Sequence, residues 1–127
     1  MKDFDKWNDV KKHIHSALSP CMFKERDMRW CKLGINIGHE ENGKGDEYER
    51  PVLVLRKFNY RLCWVVPLTT QIKNNPFYVS CGKHNGIERM AIISQIRLLD
   101  SSRFTEKIGV VPVETFELIK KAIKDLL

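Results

Sequence analysis

Apolar residues recur at two different periods along this chain, and the change of period divides it. Phe4, Trp7, Val10, Ile14 and Leu18 follow one another at steps of three and four, with Lys6, Asp9, Lys11 and Lys12 between them. That spacing predicts an amphipathic helix ended by Ser19-Pro20. From Met28 onward the apolar positions alternate or run unbroken, so strands are expected at about 28–33, 51–57, 62–69, 77–81 and 89–96. Turn chemistry separates them: Asn42-Gly43-Lys44-Gly45-Asp46, Asn59-Tyr60, Asn74-Asn75-Pro76 and His84-Asn85-Gly86. The helical period returns over Val113–Leu126, where Phe116, Ile119, Ile123 and Leu126 form a stripe to pack on the sheet and Glu117, Lys120, Lys121 and Lys124 face water.

Several short strands in close succession imply a strongly twisted antiparallel sheet of about five to seven strands, curled toward a small, partly open barrel that protects its edges. With a helix at each end, the fold class is α+β, mainly β. The 127 residues fit one globular unit, long enough to form a core without staples. Within it, residues 1–24 read as an N-terminal helical extension and 25–127 as the main domain.

Composition narrows the function classes. No apolar run approaches the roughly 20 residues that span a bilayer, so no membrane is expected. Met1-Lys2-Asp3-Phe4-Asp5 carries acid where a secretory signal carries base and then an apolar stretch, and a cytoplasmic location is expected. Cys21, Cys31, Cys63 and Cys81 are widely and irregularly spaced, with no Cys-x-x-Cys, and read as reduced, buried thiols; no metal and no cofactor is expected. The net charge of +6 favours a polyanionic partner. The charge is uneven, however: residues 34–60 hold four basic and five acidic side chains, a net of −1. The segment leading into Arg50 is therefore not a basic phosphate cradle.

Candidate chemistry sits at strand ends. Val52-Leu53-Val54-Leu55 is apolar on both faces and so central, and Pro51 fits only at its start, where no ladder donor is needed. Arg50 then stands at the strand mouth, offering a planar fork of donors for a phosphate; the plainer alternative is a solvated arginine paired with Glu49. Strand 62–69 passes abruptly into Thr69-Thr70-Gln71, three hydrogen-bonding side chains in a row. Ser94 and Gln95 interrupt an apolar strand and need partners if they are buried. His39, beside Glu40 in a glycine-rich acidic loop, is a possible general acid or base.

These segments also carry a resemblance. Gly38-His39-Glu40, Arg50-Pro51-Val52-Leu53-Val54, Val66-Pro67-Leu68-Thr69-Thr70-Gln71 and Ser94-Gln95-Ile96-Arg97 with Asp100 occur in the order that resembles the MazF/PemK (Kid) toxin family. Arg29-Trp30-Cys31-Lys32-Leu33-Gly34 resembles that family's first strand, and Lys107-Ile108-Gly109 with the terminal helix resembles its ending. The resemblance implies an SH3-like barrel and a homodimeric, metal-independent endoribonuclease. Such an enzyme cuts single-stranded mRNA at short motifs by 2′-hydroxyl attack, leaving a cyclic phosphate and a 5′-hydroxyl, and is neutralised by a cognate antitoxin. It implies Arg50, Thr69 and His39 as catalytic residues, with Glu40, Gln71, Thr70, Ser94 and Gln95 binding RNA or supporting. Where Kid-type members place an arginine and an aspartate, this chain has Ile92 and Ser94, so their division of labour does not carry over whole. Two other classes are a catalytically weak RNA- or antitoxin-binding module and a CcdB-like toxin acting on a protein target. The latter is disfavoured because the chain ends in Lys124-Asp125-Leu126-Leu127, without a tryptophan.

Overall fold

In the computed structural model, which describes residues 22–32 and 49–127, seven strands and one helix follow the sheet-building order of the chain. The strands are β1 (Asp27–Lys32), β2 (Glu49–Lys57), β3 (Leu62–Thr69), β4 (Tyr78–His84), β5 (Ile87–Ile92), β6 (Arg97–Asp100) and β7 (Phe104–Val110), and α1 spans Val113–Leu126. All pairings are antiparallel and the sheet runs β4-β5-β3-β2-β1-β7, with β6 also paired to β3. The N-terminal helix expected at residues 4–18 lies outside the described residues, as do Cys21, His39 and Glu40.

Alternation in β2 and β3 explains why the sheet has two packed faces. Leu53 and Leu55, with Val66 and Leu68 opposite, enter one core with Met28, Cys81, Ala91 and Ile93, and α1 closes that core with Phe116 and Ile119. Val52 and Val54, with Cys63 and Val65, enter a second core with Phe23, Cys31, Leu99 and Phe104. Phe23 and Phe104 meet edge to face at 5.4 Å between ring centres. A strand apolar on both sides is thus used on both sides, as its unbroken hydrophobic run required.

The β4–β5 hairpin turns on Asn85-Gly86, both at positive φ (55° and 80°), the conformation of a tight two-residue turn that matches strand twist. Beside that turn His84 reaches the opposite margin of the sheet. Its Nε2 donates to the Val110 carbonyl at 3.3 Å, linking β4 to β7 and curling the sheet into a half-barrel. Gly109 makes that closure possible, because a Cβ there would stand 2.9 Å from His84 Cδ2.

Some expected boundaries move. β6 and β7 fall where no strand was predicted. The strand expected over 89–96 runs from Ile87 to Ile92 only: Ile93 N donates to Phe77 O and Gln95 N to Ile92 O, so the chain turns out of the ladder. Ser94 and Gln95 are exposed in that turn and need no buried partners. In α1 the apolar stripe is buried at Phe116 and Ile119 but opens toward the C-terminus, leaving Leu126 exposed.

Candidate active site

Arg50 is the second residue of β2 and lies opposite Cys31 of β1 in the antiparallel register. It shares a face with Val52 and Val54 and is only 8% exposed, so it is not the solvated arginine of the plainer sequence reading. A guanidinium so shielded keeps its charge at a fixed position, which is what recognition of a phosphoryl group needs. β2 and β3 pair through Val52 and Pro67; carried two residues further, the same register sets Thr69 across from Arg50 on the same face. Thr69 is half-buried, pairs with Met90 of β5, and accepts a hydrogen bond at Oγ1 from Gln71 N at 3.1 Å. As an acceptor in that bond, the hydroxyl keeps its proton for a second partner.

Charge converges on the same margin. Burial pushes the Cys31 thiol up to about 12, while the nearby Arg103 and Arg97 guanidinium groups oppose the rise and Glu49 adds to it. Cys31 is consequently a neutral thiol at physiological pH and no nucleophile. Arg97 lies opposite Val65, on the face that holds Leu99, and Arg103 donates from Nη1 to Lys32 O at 3.1 Å. Arg50, Arg97 and Thr69 thus lie on one face of the sheet, with Arg103 set against the end of β1. Arg103 carried no signal in the sequence; only the folding of the turn Ser101–Arg103 back against β1 brings it there.

Other candidates lie elsewhere. Thr70 and the Gln71 side chain are exposed just past β3. Ser94 lies four residues beyond Met90, the partner of Thr69, in the turn that takes the chain out of the ladder after β5. It borders an apolar recess of about 400 Å³ with Phe77, Ile96 and the end of α1, apart from Arg50 within this chain. Asp100 accepts from Ser102 N at 2.9 Å and from Arg61 Nη2 at 3.1 Å. Partial burial pushes its carboxyl up, but those bonds outweigh it and hold it below the usual range. It is a structural anchor for the turn into β7. Among the described residues no three His, Cys, Asp or Glu side chains gather as metal ligands, and no helix is long and apolar enough to cross a membrane.

Comparison with known proteins places this geometry in context. Residues 24–127 match the family described as PemK-like, MazF-like toxin of type II toxin-antitoxin system. The endoribonuclease toxin MazF of Escherichia coli K12 is 33% identical over 108 residues, covering 80% of this chain and 90% of that protein. The crystal structure of MazF (Form-I) from Deinococcus radiodurans superposes with a TM-score of 0.68 at 26% identity, covering 82% of this chain and 94% of the other. A mycobacterial endoribonuclease in complex with its cognate antitoxin has the same fold, with a TM-score of 0.62 at 18% identity over 80% of this chain and 90% of that one.

Proposed function

From the premise that this chain belongs to the PemK-like, MazF-like toxin family of type II toxin-antitoxin systems, we propose that it is a metal-independent endoribonuclease. It cuts single-stranded mRNA at a short sequence motif, without the ribosome, and a cognate antitoxin neutralises it in the cytoplasm. The observation that carries this reading is Arg50, buried at a strand mouth on the face it shares with Thr69.

The reaction needs three things: removal of the ribose 2′-hydroxyl proton, stabilisation of charge on the phosphoryl oxygens, and protonation of the leaving 5′-oxygen. Attack of the 2′-oxygen on the adjacent phosphorus forms the cyclic phosphate as the bond to the 5′-oxygen breaks, and the proton taken from one oxygen is matched by the proton given to the other. Arg50 stabilises the phosphoryl oxygens through its fixed fork. Thr69 donates its hydroxyl proton to a phosphate oxygen and orients it. His39 serves as acid or base with Glu40 beside it, and Gln71, Thr70, Ser94 and Gln95 contact the RNA or support those that do. Arg97 and Arg103 add positive potential along the face.

The chain acts as a homodimer in this reading, supported by an exposed apolar strip. Trp64 and Leu98 face each other across β3 and β6, 43% and 59% exposed, and Phe58 stands edge-on to Trp64 at 5.1 Å. Large apolar side chains grouped in this way on a small domain mark an association surface. To test the reading, an unstructured RNA is incubated with purified protein in EDTA and the fragment 5′ ends are sequenced. Cuts at one recurrent motif, bearing 5′-hydroxyls and lost in Arg50→Ala, are expected. Intact RNA with the wild-type protein, or equal cutting by Arg50→Ala, overturns it.

A further inference from the structure

The face of the sheet closed by α1 is apolar except at its mouth, where β5 contributes Arg89. This residue alternates with Ala91, whose side chain belongs to the closed core, and so points to that side; Met90 between them pairs with Thr69. Trp30 lies on the same side, opposite Pro51 and two residues from Met28. In sheet order, β3 and β2 separate β5 from β1. The Arg89 guanidinium nevertheless sits 5.9 Å from the centre of the Trp30 ring, so the side chain bridges the barrel mouth.

Arg89 is 7% exposed, and its Nε is shielded from solvent with no hydrogen-bond partner. Among the described residues no carboxylate forms an ion pair with it: the neighbouring Glu88 is engaged by Ser80 Oγ at 2.8 Å, and Asp27 by Arg29 and Lys107. A shielded guanidinium that meets an aromatic face and, among the described residues, no carboxylate is an expensive arrangement, because a desolvated charge and donor need an acceptor. Ion pairing is the usual remedy in a folded chain, as Arg61 with Asp100 shows at 3.1 Å. An arginine with none among the described residues, beside a half-buried tryptophan, suits an acceptor brought by a ligand.

Position selects the ligand. Arg89 is next in sequence to the strand partner of Thr69, and Trp30 pairs with the residue next to Arg50. Arg50 and Thr69 mark one face of the same strand ends, and Arg89 with Trp30 marks the other. A single strand of RNA with its scissile phosphate at Arg50 would have to pass over those strand ends to place a flanking phosphate at the mouth. We infer that Arg89, braced by Trp30, is a second phosphate-binding position, gripping the RNA strand at a nucleotide away from the cut. The inference rests on the endoribonuclease reading above for its ligand.

The test uses the full chain and an RNA oligomer carrying the mapped motif, with the nucleotide before the cut replaced by its 2′-deoxy form so that it binds without being cleaved. Binding is followed by fluorescence anisotropy across a salt series for wild type, Arg89→Gln and Arg89→Lys, and thermal melts show that each variant is folded. Arg89→Gln is expected to weaken binding about tenfold and to lower the slope of log affinity against log salt by about 0.7, the loss of one single-strand phosphate contact. Arg89→Lys restores the slope but only part of the affinity, since it keeps the charge and loses the fork. On cleavable RNA, KM rises with kcat unchanged. An unaltered slope and KM in Arg89→Gln overturn the inference while leaving the nuclease reading intact, and so does a loss confined to binding of a polyglutamate peptide. If the wild-type protein binds the oligomer with the stated dependence on Arg89 but never cuts, the nuclease reading fails and the phosphate site stands. Should Arg89→Gln fail to fold, the Arg89→Lys slope and a Trp30→Phe variant with weakened binding decide: wild-type affinity in both overturns the inference.

Discussion

The two faces of β2 do different work from adjacent residues of one strand. On one side Leu53 and Leu55 are sealed beneath α1 in an apolar core; on the other Val52 and Val54 lead directly to Arg50, within a margin that also holds Arg97, Arg103 and Thr69. Covering one face makes the strand rigid, and rigidity is what a charged group on the other face needs if it is to meet a phosphate in a fixed position. The odd-numbered residues Leu53 and Leu55 should therefore govern stability, and even-numbered Arg50 should govern activity.

The sharpest way to break that division is Arg50→Ala. Cleavage per folded molecule is expected to fall about a thousandfold, the scale of losing one preorganised charge at a reacting phosphate, with the melting temperature changed by only a few degrees. A collapse of folding with activity retained in the folded fraction would reverse the assignment. Leu53→Ala should do the opposite. Chemical denaturation is expected to show a loss of about 3 kcal/mol, the cost of a cavity in a packed core, with kcat of the folded enzyme unchanged.

Gly109→Ala probes the closure between the sheet margins. The new methyl meets the His84 ring at 2.9 Å, and overpacking there should cost about 2 kcal/mol in a urea titration. Smaller still is Asp100→Asn. A carboxyl whose folded pKa is depressed stabilises above its unfolded value and loses that contribution as pH falls through the folded one. The variant should thus be less stable than wild type by up to about 1 kcal/mol at neutral pH, for a half-exposed pair. The difference should start to narrow once pH drops below about 4 and vanish below the folded pKa. A difference that persists at pH 2 would assign the effect to geometry instead. No effect at all is expected from thiol reagents on Cys31 and Cys81 of the native protein, because burial pushes both thiols up to about 12. Rapid labelling of Cys31, read by mass spectrometry, would show the second face to be more open than its packing implies.

Legibility in the sequence followed how local each determinant is. The bounds of α1 and β3 and the mouth of β2 were evident because a helical stripe, an abrupt polar ending and an Arg-Pro junction lie within a few residues of one another. β7 was not, since Phe104–Val110 is largely exposed and polar at the sheet margin and contains Gly109, so it lacks the alternation of a half-buried strand. β6, four residues long, is too short to show a period. Arg50 and Thr69 could be singled out as strand-end residues, but their shared face depends on the register of β2 and β3. Arg89 carried no signal of its own at the start of the strand expected over 89–96; only the curl of the sheet across β3 and β2 sets it over Trp30.

The placement of β1 between β2 and β7 has a consequence for how the protein comes into being. β1 is made first of the described strands, yet one of its two neighbours is completed roughly 80 residues later, which at about 5–20 residues per second of synthesis is on the order of 4–16 s. Through that interval β1, and with it Cys31 opposite Arg50, is held on one side at most. A growing chain cannot finish the bed of its own arginine until β7 is made.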